Sequence, residues 1–284
     1  MINWFPGHMA SSLRMMREEL KLVDLIFYVL DSRAPASCKN PLFDEIFSGK
    51  RIIYVLNKAD LADTAATEAW AAYLSRGGSA AAAVDSTASK SAFSLVKLAR
   101  DACREKIRRY EAKGVKTAVR AMVTGVPNVG KSTLINNICG RAKTLTGDRP
   151  GVTRGKQWVR VNDYFELLDT PGTLYPKLDD ETAARRLAYI GSVKDETFDA
   201  YALALSLIGE LNALDPGILS ARYKTEAASD PAVSLENFAK SRGCLLRGGD
   251  PDTARMAAAL IDDFRKGRLG RLTLDPPPKN SEQV

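Results

Sequence analysis

Histidine is nearly missing from this chain: one residue of 284, His8, carries an imidazole. Cysteine is sparse too, with Cys38, Cys103, Cys139 and Cys244, and no two are spaced as CxxC. Without a second histidine or a close cysteine pair, a Cys/His zinc site has no ligand set. The four read as reduced, mostly buried thiols of a cytosolic protein. Long apolar runs are also lacking. The longest, LIFYVL (25–30) and YALALSLIG (201–209), fall well short of a membrane span, which needs ~20 residues. The first residues show no basic region followed by an apolar stretch, so no signal peptide is expected. No internal repeat is present. Nor is there an acidic excess: 41 Lys and Arg against 34 Asp and Glu give a net charge of +7. That balance favours an anionic partner such as nucleic acid, although it is also common in ordinary enzymes.

What is present is a strand–helix alternation. LIFYVLDSR (25–33), RIIYVLNKAD (51–60), SAAAAVDST (79–87), TAVRAMVTG (117–125) and YFELLDTPG (164–172) read as short β-rich runs, each ending in polar residues or a turn. Helical patterns separate them: residues 9–23, an Ala-rich stretch around 64–74, and a long basic stretch from about 91 to 113. Such alternation predicts an α/β domain with a parallel-rich sheet, whose ligands gather beyond the carboxyl ends of the strands. From about residue 179 only helical patterns follow, around 180–193, 197–214, 234–242 and 252–267. The expected organisation is an α/β domain over 1–178, a smaller all-helical domain over 179–274, and a disordered tail over 275–284.

Five segments carry chemistry. GVPNVGKS (125–132) fits GxxxxGK[ST] and lies between a strand and a helix. Its backbone N–H groups can wrap a β-phosphate at the positive end of the helix dipole. Lys131 can reach the β- and γ-phosphates, and the Ser132 hydroxyl can ligate Mg2+. LLDTPG (167–172) places Asp169 at a strand end, suited to hold Mg2+ through a water, and Gly172 where its N–H can meet the γ-phosphate. RPGVTRG (149–155) offers the Thr153 hydroxyl to complete the Mg2+ shell, although alone it reads only as a flexible loop. NKAD (57–60) selects the base. The Asp60 carboxylate can accept from the N1–H and amino group of guanine, a donor pair adenine lacks, which disfavours a P-loop ATPase. The Lys58 stem can lie along the base, and Asn57 can tie this loop to the phosphate loop. VDST (84–87) would meet guanine O6, with Asp85 and Ser86 nearest. The expected GTP-binding set is Asn57, Lys58, Ala59, Asp60, Asp85, Ser86, Asn128, Val129, Gly130, Lys131, Ser132, Thr133 and Gly172.

The order of these segments is rotated. GTPases of this type usually begin with the phosphate loop and reach NKxD fourth, whereas here NKAD comes first. Joining the old termini and cutting new ones preserves such a site, so the chain reads as a circularly permuted P-loop GTPase. WFPGHM (4–9), VLDSRAP (29–35), NKAD, GVPNVGKS, PGVTRG, LLDTPG, RGCLLRGGD (242–250) and DFRKGRLGRLTL (263–274) together resemble the bacterial ribosome biogenesis GTPase A family, the YlqF-type group, over nearly the whole length. Thr173, where the family more often has an aliphatic residue, and the loose VDST are small departures. The resemblance implies a cytoplasmic GTPase, monomeric when free and with no membrane or DNA partner. It would bind the precursor of the large ribosomal subunit and its rRNA in the GTP state, assist its late maturation, and leave after hydrolysis.

Many small GTPases orient the attacking water with a glutamine after DxxG. Thr173 and Leu174 cannot replace it, and the resemblance points instead to His8, a neutral imidazole beside a Pro-Gly hinge. Alone, His8 would read as a helix-packing residue. Asn128, by its place in the phosphate loop, suggests a K+ ion held between the phosphates, the alternative being a role in the turn alone. The basic runs 100–116 and 263–274 read as solvated helix faces when taken singly, and as rRNA phosphate contacts given the resemblance. Two other functions fit the same motifs: a GTP switch or placeholder on RNA with little hydrolysis, and a GTPase gating another RNA-processing reaction.

Overall fold

In a computed structural model, residues 7–140, 157–174 and 180–278 are described, with side chains from Leu13 onward. His8 lies in the first turn of helix α1 (Gly7–Glu19), and its side chain and Thr153 fall outside the described set.

The six strands β1 (Leu25–Asp31), β2 (Arg51–Asn57), β3 (Ala80–Val84), β4 (Val119–Thr124), β5 (Gln157–Asn162) and β6 (Phe165–Asp169) form one sheet in the order β3-β2-β1-β4-β6-β5. The first four and β6 run parallel, and β5 pairs antiparallel with β6. Strand β1 is buried along its whole length, as its unbroken apolar sequence requires for a central strand covered on both faces. Edge strand β5 was not expected from the sequence. It turns only Val159 fully inward while Gln157, Trp158 and Arg160 stay exposed, so it carries no apolar run.

Helices α2 (Pro35–Cys38), α3 (Pro41–Ile46) and α4 (Thr64–Leu74) fill the first two crossovers. Both α2 and α3 open with proline at a first-turn position, where its missing N–H costs nothing. The expected long helix over 91–113 is two, α5 (Phe93–Ala102) and α6 (Arg104–Glu111), separated by Cys103 at φ −104°, ψ 14°. Helix α7 (Lys131–Cys139) follows the phosphate loop.

Beyond β6 come α8 (Glu181–Tyr189), α9 (Ala200–Leu214), α10 (Gly217–Tyr223), α11 (Pro231–Ser241) and α12 (Thr253–Arg265). Asp180, Asp199, Asp230 and Asp252 cap α8, α9, α11 and α12, each accepting a first-turn N–H, at about 1 kcal/mol per cap. Leu203, Leu207, Leu211, Phe238, Leu260 and Phe264 fill the core between these helices. Tyr223 stacks on Phe238 with ring centroids 4.6 Å apart. Among the described residues no single helix is long and apolar enough to cross a membrane. Cys38, Cys103 and Cys244 are buried, and Cys139 is half-buried.

The tail expected from residue 275 starts too early in the sequence reading. Asp275 is buried, accepting from the Ser37 N–H at 2.8 Å and the Ser37 hydroxyl at 3.0 Å and pairing with Arg186 at 2.6 Å. The Trp70 indole donates to its carbonyl at 3.0 Å. A Pro-rich sequence after it carries no apolar signal that would reveal this anchor.

Candidate nucleotide site

Parallel pairing puts the carboxyl ends of the strands on one edge. The register sets Asp31 beside Asn57, Asn57 beside Val84, Tyr28 beside Thr124, and Val123 beside Asp169. NKAD, VDST, the phosphate loop and DTPG thus begin at neighbouring points, although NKAD and the phosphate loop are some 70 residues apart in sequence.

Asn57 joins three of these loops. Its Nδ2 donates to the Val129 carbonyl at 2.6 Å, and its Oδ1 accepts from the Ser86 hydroxyl at 2.6 Å and the Ser86 N–H at 3.2 Å. Gly130 makes the approach possible: at φ +93°, a Cβ there would stand 2.3 Å from Asn57 Nδ2. Lys58, itself at φ +56°, donates to the Asn128 carbonyl at 2.8 Å. The Ala59 N–H meets the Val84 carbonyl at 3.2 Å. These contacts wall a cleft of about 960 Å3, lined by Asn57, Lys58, Asp60, Asp85, Ser86 and Thr133 among others.

Asp60 stands in this cleft with its carboxyl raised above the usual carboxylate range, by burial and then by neighbouring Asp85. Among the described residues Asp60 makes no ion pair, and such a carboxylate is the group a pair of N–H donors would satisfy. Asp85 is held low: hydrogen bonds from Thr87 and Ala88 outweigh its modest burial. Its side chain therefore shapes the turn, and Ser86 orients Asn57.

Within the phosphate loop, Lys131 is almost wholly buried and donates to the Gly125 and Val126 carbonyls at 3.1 and 2.9 Å. Burial pushes its ammonium down to about 8, and Asp169 partly opposes the shift. Asp169 accepts from the Ser132 hydroxyl at 3.2 Å through Oδ2. Its Oδ1 is sealed from water without a hydrogen-bond partner among the described residues. Burial raises its carboxyl, against Lys131 and Ser132. Gly172 abuts the phosphate loop, where a Cβ would lie 2.7 Å from Pro127 Cα and 2.9 Å from Lys131 Nζ.

Thr173 turns away from the cleft. It is fully buried, its N–H donates to the Gly125 carbonyl at 3.2 Å, and its hydroxyl to Pro171 at 3.2 Å. Leu174 is buried beside it. Asn128, at φ +59°, donates from Nδ2 to the Gly191 carbonyl at 2.8 Å, and Ser192 donates to Pro127 at 2.7 Å, so the loop after α8 touches the phosphate loop directly.

Sequence reasoning gave Asp31 and Arg33 no role. Asp31 is fully buried and binds both Arg33, at 2.9 and 2.7 Å, and Lys58, at 3.1 Å. Arg33, 2% exposed, reaches on to the Phe264 and Arg265 carbonyls at the end of α12, at 3.2 and 3.1 Å. VLDSRAP was the available signal, a charged pair closing an apolar strand. The run 263–274 also differs from expectation. Arg265 binds Asp195 and the Ala188 and Tyr189 carbonyls, Lys266 and Arg268 bind Asp262 or Asp263, and Arg271 binds the Ala59 and Ala62 carbonyls. Much of that charge is spent inside the fold. In the other run, Arg100, Arg104 and Arg108 line an open groove with Ile107, joined by Phe93 and Lys97 just before it.

A family model described as 50S ribosome-binding GTPase matches residues 120–225. Ribosome biogenesis GTPase A of Priestia megaterium is 41% identical, covering 100% of this chain and 99% of that one. Mitochondrial ribosome-associated GTPase 1 of Mus musculus is 32% identical over 96% of this chain and 89% of its own. The solved structure of GNP-bound YlqF from T. maritima superposes with a TM-score of 0.65 at 27% identity, covering 94% of this chain and 98% of that one. The GDP-bound YlqF structure gives 0.66, also at 27% identity, over 93% and 99%. Full-length identity and the rotated order of loops around one cleft agree: the chain belongs to the ribosome biogenesis GTPase A family of circularly permuted GTPases.

Proposed function

We propose that this chain is a cytoplasmic GTPase that assists late maturation of the large ribosomal subunit. It binds the precursor and its rRNA in the GTP state, as a monomer, and leaves after hydrolysis. The observation that carries this reading is the convergence of NKAD, VDST and the phosphate loop on one cleft, with DTPG packed against the phosphate loop through Asp169 and Gly172, in a chain related along its full length to proteins named for ribosome biogenesis.

In this reading the Asp60 carboxylate accepts from guanine N1–H and its amino group, the Lys58 stem covers the base, and Asn57 fixes the loops that meet there. Backbone N–H groups of residues 128–133 and Gly172 receive the phosphates, with Lys131 as their cation. Asp169 and Ser132 fit a Mg2+ site: two oxygens lie side by side, one of them on a buried carboxylate with an unmet acceptor. Mg2+ would supply charge neutralisation between the β- and γ-phosphates, and Thr153 is the further hydroxyl proposed for its shell. Asn128 is the proposed K+ ligand through Oδ1, since Nδ2 faces Gly191. With Thr173 and Leu174 buried, water orientation is assigned to His8. We also read a two-domain division near Leu178, with α8–α12 as the rRNA-recognising part. The exposed cations of α5 and α6 add phosphate contacts.

The test is steady-state GTP hydrolysis in KCl with and without purified large subunits. Strong stimulation that His8→Ala abolishes is expected. Binding without stimulation would refute the ribosomal role and leave a placeholder. Equal rates in KCl and NaCl would remove the K+ assignment.

A further inference from the structure

The chain does not end with α12. After Gly267, it runs back over the GTPase half. Gly267 has φ +68°, and a Cβ there would meet Leu61 Cδ2 at 2.7 Å, so the turn is seated on the base loop itself. The next residues then bond to that loop in sequence. The Arg271 guanidinium donates from Nη2 to the Ala59 carbonyl at 2.9 Å and from Nε to the Ala62 carbonyl at 3.0 Å. The Leu272 N–H donates to the Leu61 carbonyl at 3.1 Å. The Thr273 hydroxyl accepts from the Asp63 N–H at 3.3 Å and donates to the Ser32 carbonyl at 3.1 Å. The Leu274 N–H then donates to the Arg33 carbonyl at 2.7 Å, and Asp275 ends the strap on Ser37.

Asp60 lies in the middle of this clamp. The carbonyls of residues 59, 61 and 62 are all taken by the strap, and two of the three by one guanidinium. Three residues link Asn57, the end of β2, to Leu61, and Lys58 among them is in the left-handed region. Inside the loop, the Leu61 N–H closes a turn onto the Lys58 carbonyl at 3.0 Å, and the Ala59–Val84 bond and the Lys58 side chain tie its first half to the sheet and the phosphate loop; beyond Asp60 the strap supplies the hold on the backbone. Paired hydrogen bonds to a base need both distances within a few tenths of an ångström, so a loose loop loses selectivity before it loses binding.

We propose that residues 271–273 brace the base loop from outside the cleft, and that Arg271 is a positioning residue for guanine selection, acting through the carbonyls on either side of Asp60. This rests on the reading of Asp60 as the acceptor for guanine. The helical part of the chain thereby helps set which nucleotide the GTPase part accepts.

The experiment measures affinities of the full-length protein for GDP and for IDP, whose base lacks the amino group. The parent should prefer GDP by about 10- to 100-fold, the value of a hydrogen bond to a charged acceptor. Arg271→Ala should cut that ratio by roughly tenfold, mainly through weaker GDP binding. Arg271→Lys, able to remake one of the two bonds, should be intermediate. Arg268→Ala, whose partners Asp262 and Asp263 lie in the helical part, should keep the parent ratio. Thr273→Val is a second, milder probe of the strap and should also lower the ratio. A strap that only joins the two halves would change GDP and IDP affinities equally, and an unchanged ratio in both Arg271→Ala and Thr273→Val overturns the proposal. No preference in the parent would instead overturn the Asp60 reading, and this proposal with it.

Discussion

Replacing Asp31 by asparagine keeps its shape and removes its charge, and the consequences can be worked out from its neighbours. Asp31 is fully buried and serves two cations. Lys58 is the less dependent: it is partly exposed and keeps the Asn128 carbonyl. Arg33 is almost completely enclosed and would keep no charged partner at this position: the Phe264 and Arg265 carbonyls, the face of the Phe264 ring 5.3 Å away, and at most one amide oxygen of the new asparagine remain. Breaking a buried pair by removing one partner costs about 3–5 kcal/mol, because the remaining charge stays desolvated. At ~2–4 °C per kcal/mol for a chain of this size class, the midpoint should fall by roughly 6–20 °C. The check is calorimetry of the nucleotide-free protein.

A second replacement sharpens it. Adding Arg33→Met to Asp31→Asn removes the stranded charge and should recover part of the loss, so the two effects fall well short of additive. The pH dependence gives an independent check. Burial pushes the Asp31 carboxyl up, but Arg33 and Lys58 outweigh it and hold it below the usual range. A carboxyl lower in the folded than in the unfolded chain, where it titrates near ~3.9, stabilises fully above that pH. The stabilisation is lost as pH falls toward the folded value. The gap between parent and Asp31→Asn should therefore be constant near neutrality and narrow below about pH 4. A midpoint within about 2 °C of the parent at pH 7 would refute the view that this triad ties β1 to α12.

Three further outcomes follow from the site. Gly130→Ala places a Cβ 2.3 Å from Asn57 Nδ2 at φ +93°, and should weaken GDP binding by at least about tenfold through ~1–3 kcal/mol of strain, read by titration of a fluorescent analogue. Lys131 titrates near 8 when the site is empty and is held protonated by bound phosphate, so GDP affinity should fall as pH rises through that value, about fourfold between pH 7 and 8.5. Affinity unchanged over that range would show that the lysine is already fully charged before binding. Asp169→Asn removes the negative charge of the buried carboxyl that faces Ser132, and EDTA should then lower GTP affinity less than it does in the parent, whereas an undiminished Mg2+ response would place the ion elsewhere.

Much of the site could be read without coordinates because its chemistry is local. A phosphate loop needs glycine where φ is positive and a lysine and hydroxyl at fixed offsets. The base loop needs its carboxylate three residues after the asparagine. The strands leading into them are mostly buried and so spell themselves as apolar runs. Other features left no such trace. Strand β5 is an edge with one face in water, and Cys103 divides a helix whose basic pattern runs through the break unchanged. What tertiary structure alone decided is where the charges went. Asp31 and Arg33 look like a solvated strand end until the sheet and α12 enclose them. Arg271 looks like one more cation in a basic run until its guanidinium meets two carbonyls from a loop 209 and 212 positions away. A carbonyl acceptor belongs to every residue alike, so a bond to it cannot be written in side-chain identities. Only the path of the folded chain brings the two ends together.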